Sequence, residues 1–205
     1  MIDQNIFQDL IEKGFRRSGQ YIYKPSCKGC TACIPIRLTV QKFLSSRSQK
    51  RIFKKHQHFN VREVSLAFKQ EHFDLYSKYQ NKRHSSINND QNNIDDYNDF
   101  LIKSNVNSKL VEFWDGDILK IVSIIDMMSD GISAVYTFFD TDFQADGLGT
   151  YSILKQIELC QRRSIDHLYL GYYIADSPHM NYKSRFLPNQ RLIDGRWTSF
   201  HSKKK

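Results

Sequence analysis

Three cysteines stand at three-residue steps in the stretch CKGCTACIPIR, at Cys27, Cys30 and Cys33. A turn brings thiols at i and i+3 together, so this spacing offers three corners of a zinc site or an iron–sulfur cluster, each of which wants four ligands. The fourth cysteine, Cys160, falls on the inner side of a helical pattern and reads as core. The alternative for the first three is a turn packed with thiols. A second stretch, QADGLGT over 144–150, sets Gly147 and Gly149 where an apolar strand hands over to a helix. Backbone N–H groups at such a helix start suit a phosphate, and a glycine pair also serves turning alone.

The elements that must position these residues follow from periodicity. Residues 3–13 place Ile6, Phe7, Leu10 and Ile11 on one side of a helix that Gly14 ends. YIYKP predicts a short strand. IPIRLTV alternates, with Ile34, Ile36, Leu38 and Val40 on one face and Arg37 turned away from that core. A basic helix over 46–56 comes next. From residue 69 the order is two helices joined by an Asn-rich link (86–93), three strands, a helix at 149–163, a strand, a short helix near 179–185 and a final strand at 190–200. Asp115-Gly116 and Asp130-Gly131 between apolar runs are hairpin signals, so the three strands form an antiparallel meander.

Charge divides the chain. Residues 1–62 hold 13 Lys/Arg against 3 Asp/Glu, whereas the rest hold 17 against 19. A basic lobe at 1–62 on a near-neutral body at 63–205 predicts a polyanionic partner, most simply nucleic acid. The segment 42–58 carries six Lys/Arg and no acid, which makes Arg47, Lys50, Arg51 and Lys54 candidate phosphate contacts. No apolar run approaches the ~18 residues of a membrane span. The N-terminus carries no export pattern, so a cytoplasmic chain with reduced thiols is expected.

The spacing Gln144-x-x-Gly147-x-Gly149, together with the element order, resembles the pyrophosphate loop of the GNAT acyltransferases. That resemblance implies an α+β fold, a mixed and mostly antiparallel sheet flanked by helices, here preceded by the small basic cysteine-containing lobe. Two longer stretches, YKPSCKGCTACIPIRL with SRSQKR and YLGYYIADSPHMNYKSRFLP, resemble the aminoacyl-tRNA–protein transferases, above all their bacterial aspartate/glutamate leucyltransferase branch. The resemblance spans nearly the whole chain in order. It implies transfer of an amino acid from charged tRNA to proteins with N-terminal Asp or Glu, which creates a degradation signal. Family members usually carry a further N-terminal segment with another cysteine, where this sequence starts at the first helix. Gln190 and His179 also replace the acid and lysine common at those positions.

On this reading Gln144, Gly147, Gly149 and Thr150 hold the tRNA 3′ end, and Arg37, Lys183 and Arg185 meet the acidic acceptor. Asp140 could take a proton from the acceptor amine, and Tyr136 or Tyr173 could serve at the mouth of the sheet, for instance by stacking the terminal adenine. Against each stands a plain structural role: turn residue, core aromatic or surface cation. An aminoacyl ester is already activated, so no cofactor is required for transfer. Leucine is favoured over arginine as donor mostly by the resemblance to the leucyltransferase branch, and also because the sequence offers no acid to assign to an arginine pocket. Two remoter alternatives are a CoA-dependent acetyltransferase, which leaves residues 1–62 idle, and a non-catalytic metal-ribbon binder of nucleic acid, which ignores the glycine loop.

Overall fold

Apolar alternation builds most of the sheet. The computed structural model describes residues 2–83 and 93–201, with the side chains of Gln144 and Ala145 outside that description. Most of the expected Asn-rich link therefore lies outside the described residues. Helix α1 (Gln4–Glu12) starts at Asp3, whose carboxylate accepts from the Asn5 and Ile6 amides. It leads into a small hairpin of β1 (Arg16–Ser18) and β2 (Tyr21–Tyr23). The main sheet holds β3 (Ile34–Thr39), β4 (Asn60–Ser65), β5 (Ser108–Asp115), β6 (Ile118–Met127), β7 (Gly131–Phe139), β8 (His167–Tyr173), β9 (Asn189–Ile193) and β10 (Arg196–Phe200). Their spatial order is β10-β9-β3-β8-β7-β6-β5-β4, antiparallel throughout except for β7 with β8.

The meander β5-β6-β7 turns where the Asp-Gly pairs predict. The same signal at Asp194-Gly195, where both residues have positive φ (49° and 74°), splits the expected single final strand into the hairpin β9–β10. Helices α2 (Arg47–His56), α3 (Gln70–Arg83) and α5 (Leu148–Arg162) cover the sheet. The expected second helix of the middle region is brief: α4 (Ile94–Tyr97) runs into a π turn at Asn98–Ile102. Helix α5 is the crossover that parallel β7 and β8 require, and it buries Ile153, Ile157 and Cys160. Among the described residues no helix is long and apolar enough to cross a membrane.

Residues 1–62 do not form a core of their own. Ile36, Leu38, Val40, Phe43 and Phe59 belong to one apolar cluster with Leu110, Phe113, Ile124 and Ile157. Strand β3 is inserted between β8 and β9, and β4 forms the opposite edge. Helix α1 packs in a second apolar cluster, where Phe7 and Ile11 meet Met128 and Tyr169.

Strands β7 and β8 pair over three residues only, Gly131–Ser133 against His167–Tyr169. Just beyond, the β6–β7 register slips between Ile124 and Ile125, and the β3–β8 register slips between Ile36 and Arg37. Bulges bend the strand that carries them, so β7 and β8 part in the middle of the sheet.

Candidate active site at the parting strands

Arg16 fills the parting. Its guanidinium Nη2 donates to the carbonyl of Ala134 on β7, and the group lies flat against Gly171 on β8. A Cβ at residue 171 would stand 3.4 Å from Arg16 Nε, and the backbone there has φ of +82°. Glycine is therefore required twice over, for its conformation and for the guanidinium beside it. Arg16 is 7% exposed, and its Nη1 has no hydrogen-bond partner among the described residues. Lys183 reaches the same place from the 3₁₀ turn Asn181–Arg185, donating to the Tyr172 carbonyl at 2.8 Å. Burial, aided by the charge of Arg16, lowers the Lys183 ammonium to about 7. The Tyr172 hydroxyl donates to the Gly14 carbonyl at 2.8 Å, and burial pushes it up to about 12. The mouth thus holds two cations among neutral groups.

Helix α2 joins the loops around this mouth. It begins with a full capping box, Ser46 accepting from the Gln49 amide and Gln49 from the Ser46 amide. Gln49 Nε2 also reaches the Arg185 carbonyl, and Phe43 stacks on Phe186 with centroids 6.2 Å apart. At the other end His56 is hydrogen-bonded to the Asp146 carbonyl at 3.0 Å, and Lys55 pairs with the Asp146 carboxylate. Gly147 has φ of +75°, and a Cβ there would meet Ile52 Cδ1 at 2.9 Å. Glycine at 147 is what lets the basic helix lie against the glycine loop. Arg47, Lys50, Arg51 and Lys54 stay exposed on the outer face of α2. Gly149 and Thr150 lie in the first turn of α5, whose cap residue Gly147 supplies no side-chain acceptor.

The other expected residues are dispersed. Tyr136 packs among Tyr76, Tyr79, Phe100 and Phe138, and burial raises its hydroxyl far above the ordinary value, so it keeps its proton. Asp140 ends β7 and accepts from Lys78 at 2.7 Å and Lys120 at 3.1 Å. Burial pushes its carboxyl up, but those hydrogen bonds outweigh it and hold the group below the usual value, which opposes service as a base. Tyr173 carries the Arg191 guanidinium 4.3 Å over its ring. Among the described residues no hydrogen bond or ring contact links Tyr136, Asp140 and Tyr173. Arg37 does leave its strand's core, but it is committed to Gln190 (2.8 Å), the Tyr169 hydroxyl (3.0 Å) and the face of Trp197 (4.3 Å). Arg185 is exposed, and the side chain of Gln144 lies outside the described ones.

Cys27, Cys30 and Cys33 line a cavity of about 460 Å³ together with Glu12, Lys24, Pro35 and Asp194. Cys27 and Cys30 are exposed and Cys33 is half-buried. Among the described residues the one set of three potential ligand atoms within 4.8 Å of one another is Glu71, His72 and Glu112, so the three sulfurs are not gathered for an ion. Cys160 is core, its thiol raised by burial to about 12. Sequence reasoning missed Arg16 and its neighbour Arg17. The signal was present: GFRRSG sets two arginines in a short strand between glycines, a position where one of them must turn inward.

A mixed sheet whose parallel pair parts at its centre, with a glycine-opened helix crossing between the two strands, defines a GNAT-like acyltransferase fold. L-PGS from Bacillus licheniformis superposes with a TM-score of 0.54 at 8% identity, over 85% of this chain and 61% of that one. The C-terminal domain of a putative lysylphosphatidylglycerol synthetase from Agrobacterium fabrum gives 0.50 at 7% identity, over 82% of this chain and 52% of that one. The chain thus spans about three fifths and one half of those proteins.

Sequence similarity is closer. Residues 1–51 match the family described as "Arginine-tRNA-protein transferase, N terminus" and 71–193 its C-terminal counterpart. The chain belongs to the arginine-tRNA–protein transferase family. It is 47% identical to the aspartate/glutamate leucyltransferase of Methylobacillus flagellatus, over 100% of this chain and 82% of that protein. It is 45% identical to the enzyme of the same name from Thiobacillus denitrificans, over 98% of this chain and 84% of that protein.

Proposed function

We propose that this protein transfers leucine from leucyl-tRNA to the α-amino group of proteins that begin with Asp or Glu, marking them for degradation. The observation that carries the reading is α2, which fixes an exposed basic face beside both the glycine loop and the Lys183 turn. Arg47, Lys50, Arg51 and Lys54 meet tRNA phosphates by charge, and the first turn of α5 with Gly147, Gly149 and Thr150 receives the 3′ end. The ester is thereby aimed at the parting of β7 and β8. The acceptor nitrogen attacks the ester carbonyl, the bond from that carbon to the ribose oxygen breaks, and the leaving oxygen takes the proton the amine loses. An α-amino group with a pKa of about 7.7–8.0 is a sufficient nucleophile once positioned. No metal or cofactor enters these steps, and the cytoplasm supplies charged tRNA.

Leucine is favoured over arginine by the state of the buried acids. Glu112 is held by Lys69 and His72, Asp126 by Arg17, and Asp140 by Lys78 and Lys120. Among the described residues each of these buried carboxylates is thus held by a cation, whereas half-buried Asp130 accepts from the Tyr169 hydroxyl and keeps one oxygen unpartnered. The test supplies tRNA charged with labelled leucine or, separately, labelled arginine, and peptides led by Asp, Glu or Ala. Label moving from leucyl-tRNA to the acidic peptides alone is the expected result. Transfer from arginyl-tRNA instead would change the donor, and none from either would remove the reading.

A further inference from the structure

Among the described residues the two cations at the parting strands have no anion of their own. Arg16 donates to a neutral carbonyl, that of Ala134, and leaves Nη1 unpartnered. Lys183 likewise donates to a neutral carbonyl and touches the Met180 sulfur. Asp126 is the buried carboxylate within electrostatic reach of Arg16, yet both its oxygens accept from Arg17, and one also from Ser108. The other groups facing the pair are the hydroxyls of Tyr23 and Tyr172 and, beyond Tyr172, the Cys33 thiol. Burying a cation without a partner is costly. A fold that keeps a buried guanidinium and a half-buried ammonium within electrostatic reach of each other is arranged for an anion that arrives from outside.

The anion must be small. The Arg16 guanidinium lies against the backbone of Gly171 and is only 7% exposed, which suits a small group such as a side-chain carboxylate better than a phosphate carried on a duplex. A carboxylate also matches the planar fork of a guanidinium with an ammonium beside it. We propose that Arg16 and Lys183 form the pocket for the side-chain carboxylate of the acceptor's first residue. Selection of Asp and Glu is then made by a buried guanidinium and a half-buried ammonium that have no counter-anion among the described residues. This rests on the transfer reading above and adds Arg16 to it. A carboxylate beside Lys183, whose ammonium burial and Arg16 lower to about 7, would favour its charged form.

The experiment pairs two readouts on the full chain. Calorimetry measures binding of short peptides led by Asp, Glu, Asn and Gln, and steady-state assays measure leucine transfer to the same peptides. Both are run on the parent, Arg16→Gln and Lys183→Met. The parent is expected to prefer Asp-led over Asn-led peptides. Each variant should cut that preference by roughly tenfold or more, through KM, with affinity for leucyl-tRNA unchanged. Should Arg16→Gln fail to fold, Lys183→Met decides alone. Variants that keep the parental preference, or that lose kcat equally on every peptide, would overturn the pocket and leave leucine transfer intact. A parent that binds Asp-led peptides no better than Asn-led ones would overturn it as well. Selective binding without transfer from leucyl-tRNA would support the pocket and count against the transfer reading instead.

Discussion

Arg16 and Arg17 are adjacent in one short strand, equally buried at 7% and 5% exposure, and opposite in their circumstances. Arg17 makes a bidentate pair with Asp126 at 2.8 Å through Nε and Nη2, and donates further to the Gly19 carbonyl. Arg16 donates to one carbonyl and keeps a free Nη1. Strand alternation sends the two side chains to different neighbours, and only one neighbour is a carboxylate. A buried cation with its counter-charge in place is a brace, here tying the β1–β2 hairpin to β6. One without it is a reserved position. Burial alone therefore does not separate structural from functional arginines; the completeness of their partners does.

The largest test of this contrast is Asp126→Asn. It leaves Arg17 charged, buried and unpaired, and loss of one member of a buried pair costs about 3–5 kcal/mol. Urea unfolding should show a lower midpoint with an unchanged slope. Arg16→Met comes next and should stay within about 1 kcal/mol of the parent, because the lost carbonyl hydrogen bond is offset by removal of an uncompensated charge. If Arg16→Met proved as costly as Asp126→Asn, the two arginines would be alike and the distinction would fall.

The same contrast explains what was legible in the sequence. The meander, helix α5 and the burial of Cys160 follow from alternation, Asp-Gly turns and helical period, which are local signals. The inserted strand β3 is read correctly as a strand, but its place between β8 and β9 depends on pairing with residues more than 120 positions away, which no local pattern carries. The hairpin at Asp194-Gly195 had its signal in plain view; the run on either side was short enough to read as one strand. At the site, Lys183, Gly147 and the basic face of α2 were legible as types in a pattern. Arg16 was not, because counting it among surface charges hid the one property that matters, an inward turn decided by the backbone of Gly171. Arg37 turns away from its strand's core as its pattern predicts, and there it meets Trp197 and Gln190.

A smaller effect sharpens the reserved position through pH. Lys183 sits at about 7 in the folded chain against an ordinary value of 10.5. Between those values the unfolded chain holds a proton that the folded chain releases, so the folded state gains stability as pH rises across the window. The penalty is full below about pH 7 and gone above about 10.5. Lys183→Met removes it, so the variant's advantage in Tm over the parent should be widest near pH 6–7 and narrow steadily towards pH 10. A pH-independent difference in Tm would place Lys183 among ordinary exposed lysines.

The smallest effect lies on the exposed cations, which form the far end of the comparison. Arg47, Lys50, Arg51 and Lys54 are solvated and unbraced, so removing one should leave stability within about 0.5 kcal/mol of the parent. What changes is the response to salt. Each neutralised phosphate releases condensed counterions, and the slope of log K for tRNA against log salt should flatten by about 0.7–0.9 for every phosphate left without its cation. Lys50→Ala and Lys54→Ala should each flatten it, and the double variant should flatten it by about the sum. Neither should alter the preference for Asp-led over Asn-led peptides, because the basic face meets the donor and the buried pair meets the acceptor. Filter binding of leucyl-tRNA across a salt series, run beside the peptide assay, separates the two. A change of peptide preference in Lys54→Ala, with the salt slope unmoved, would mean that the surface cations and the buried ones answer to the same ligand.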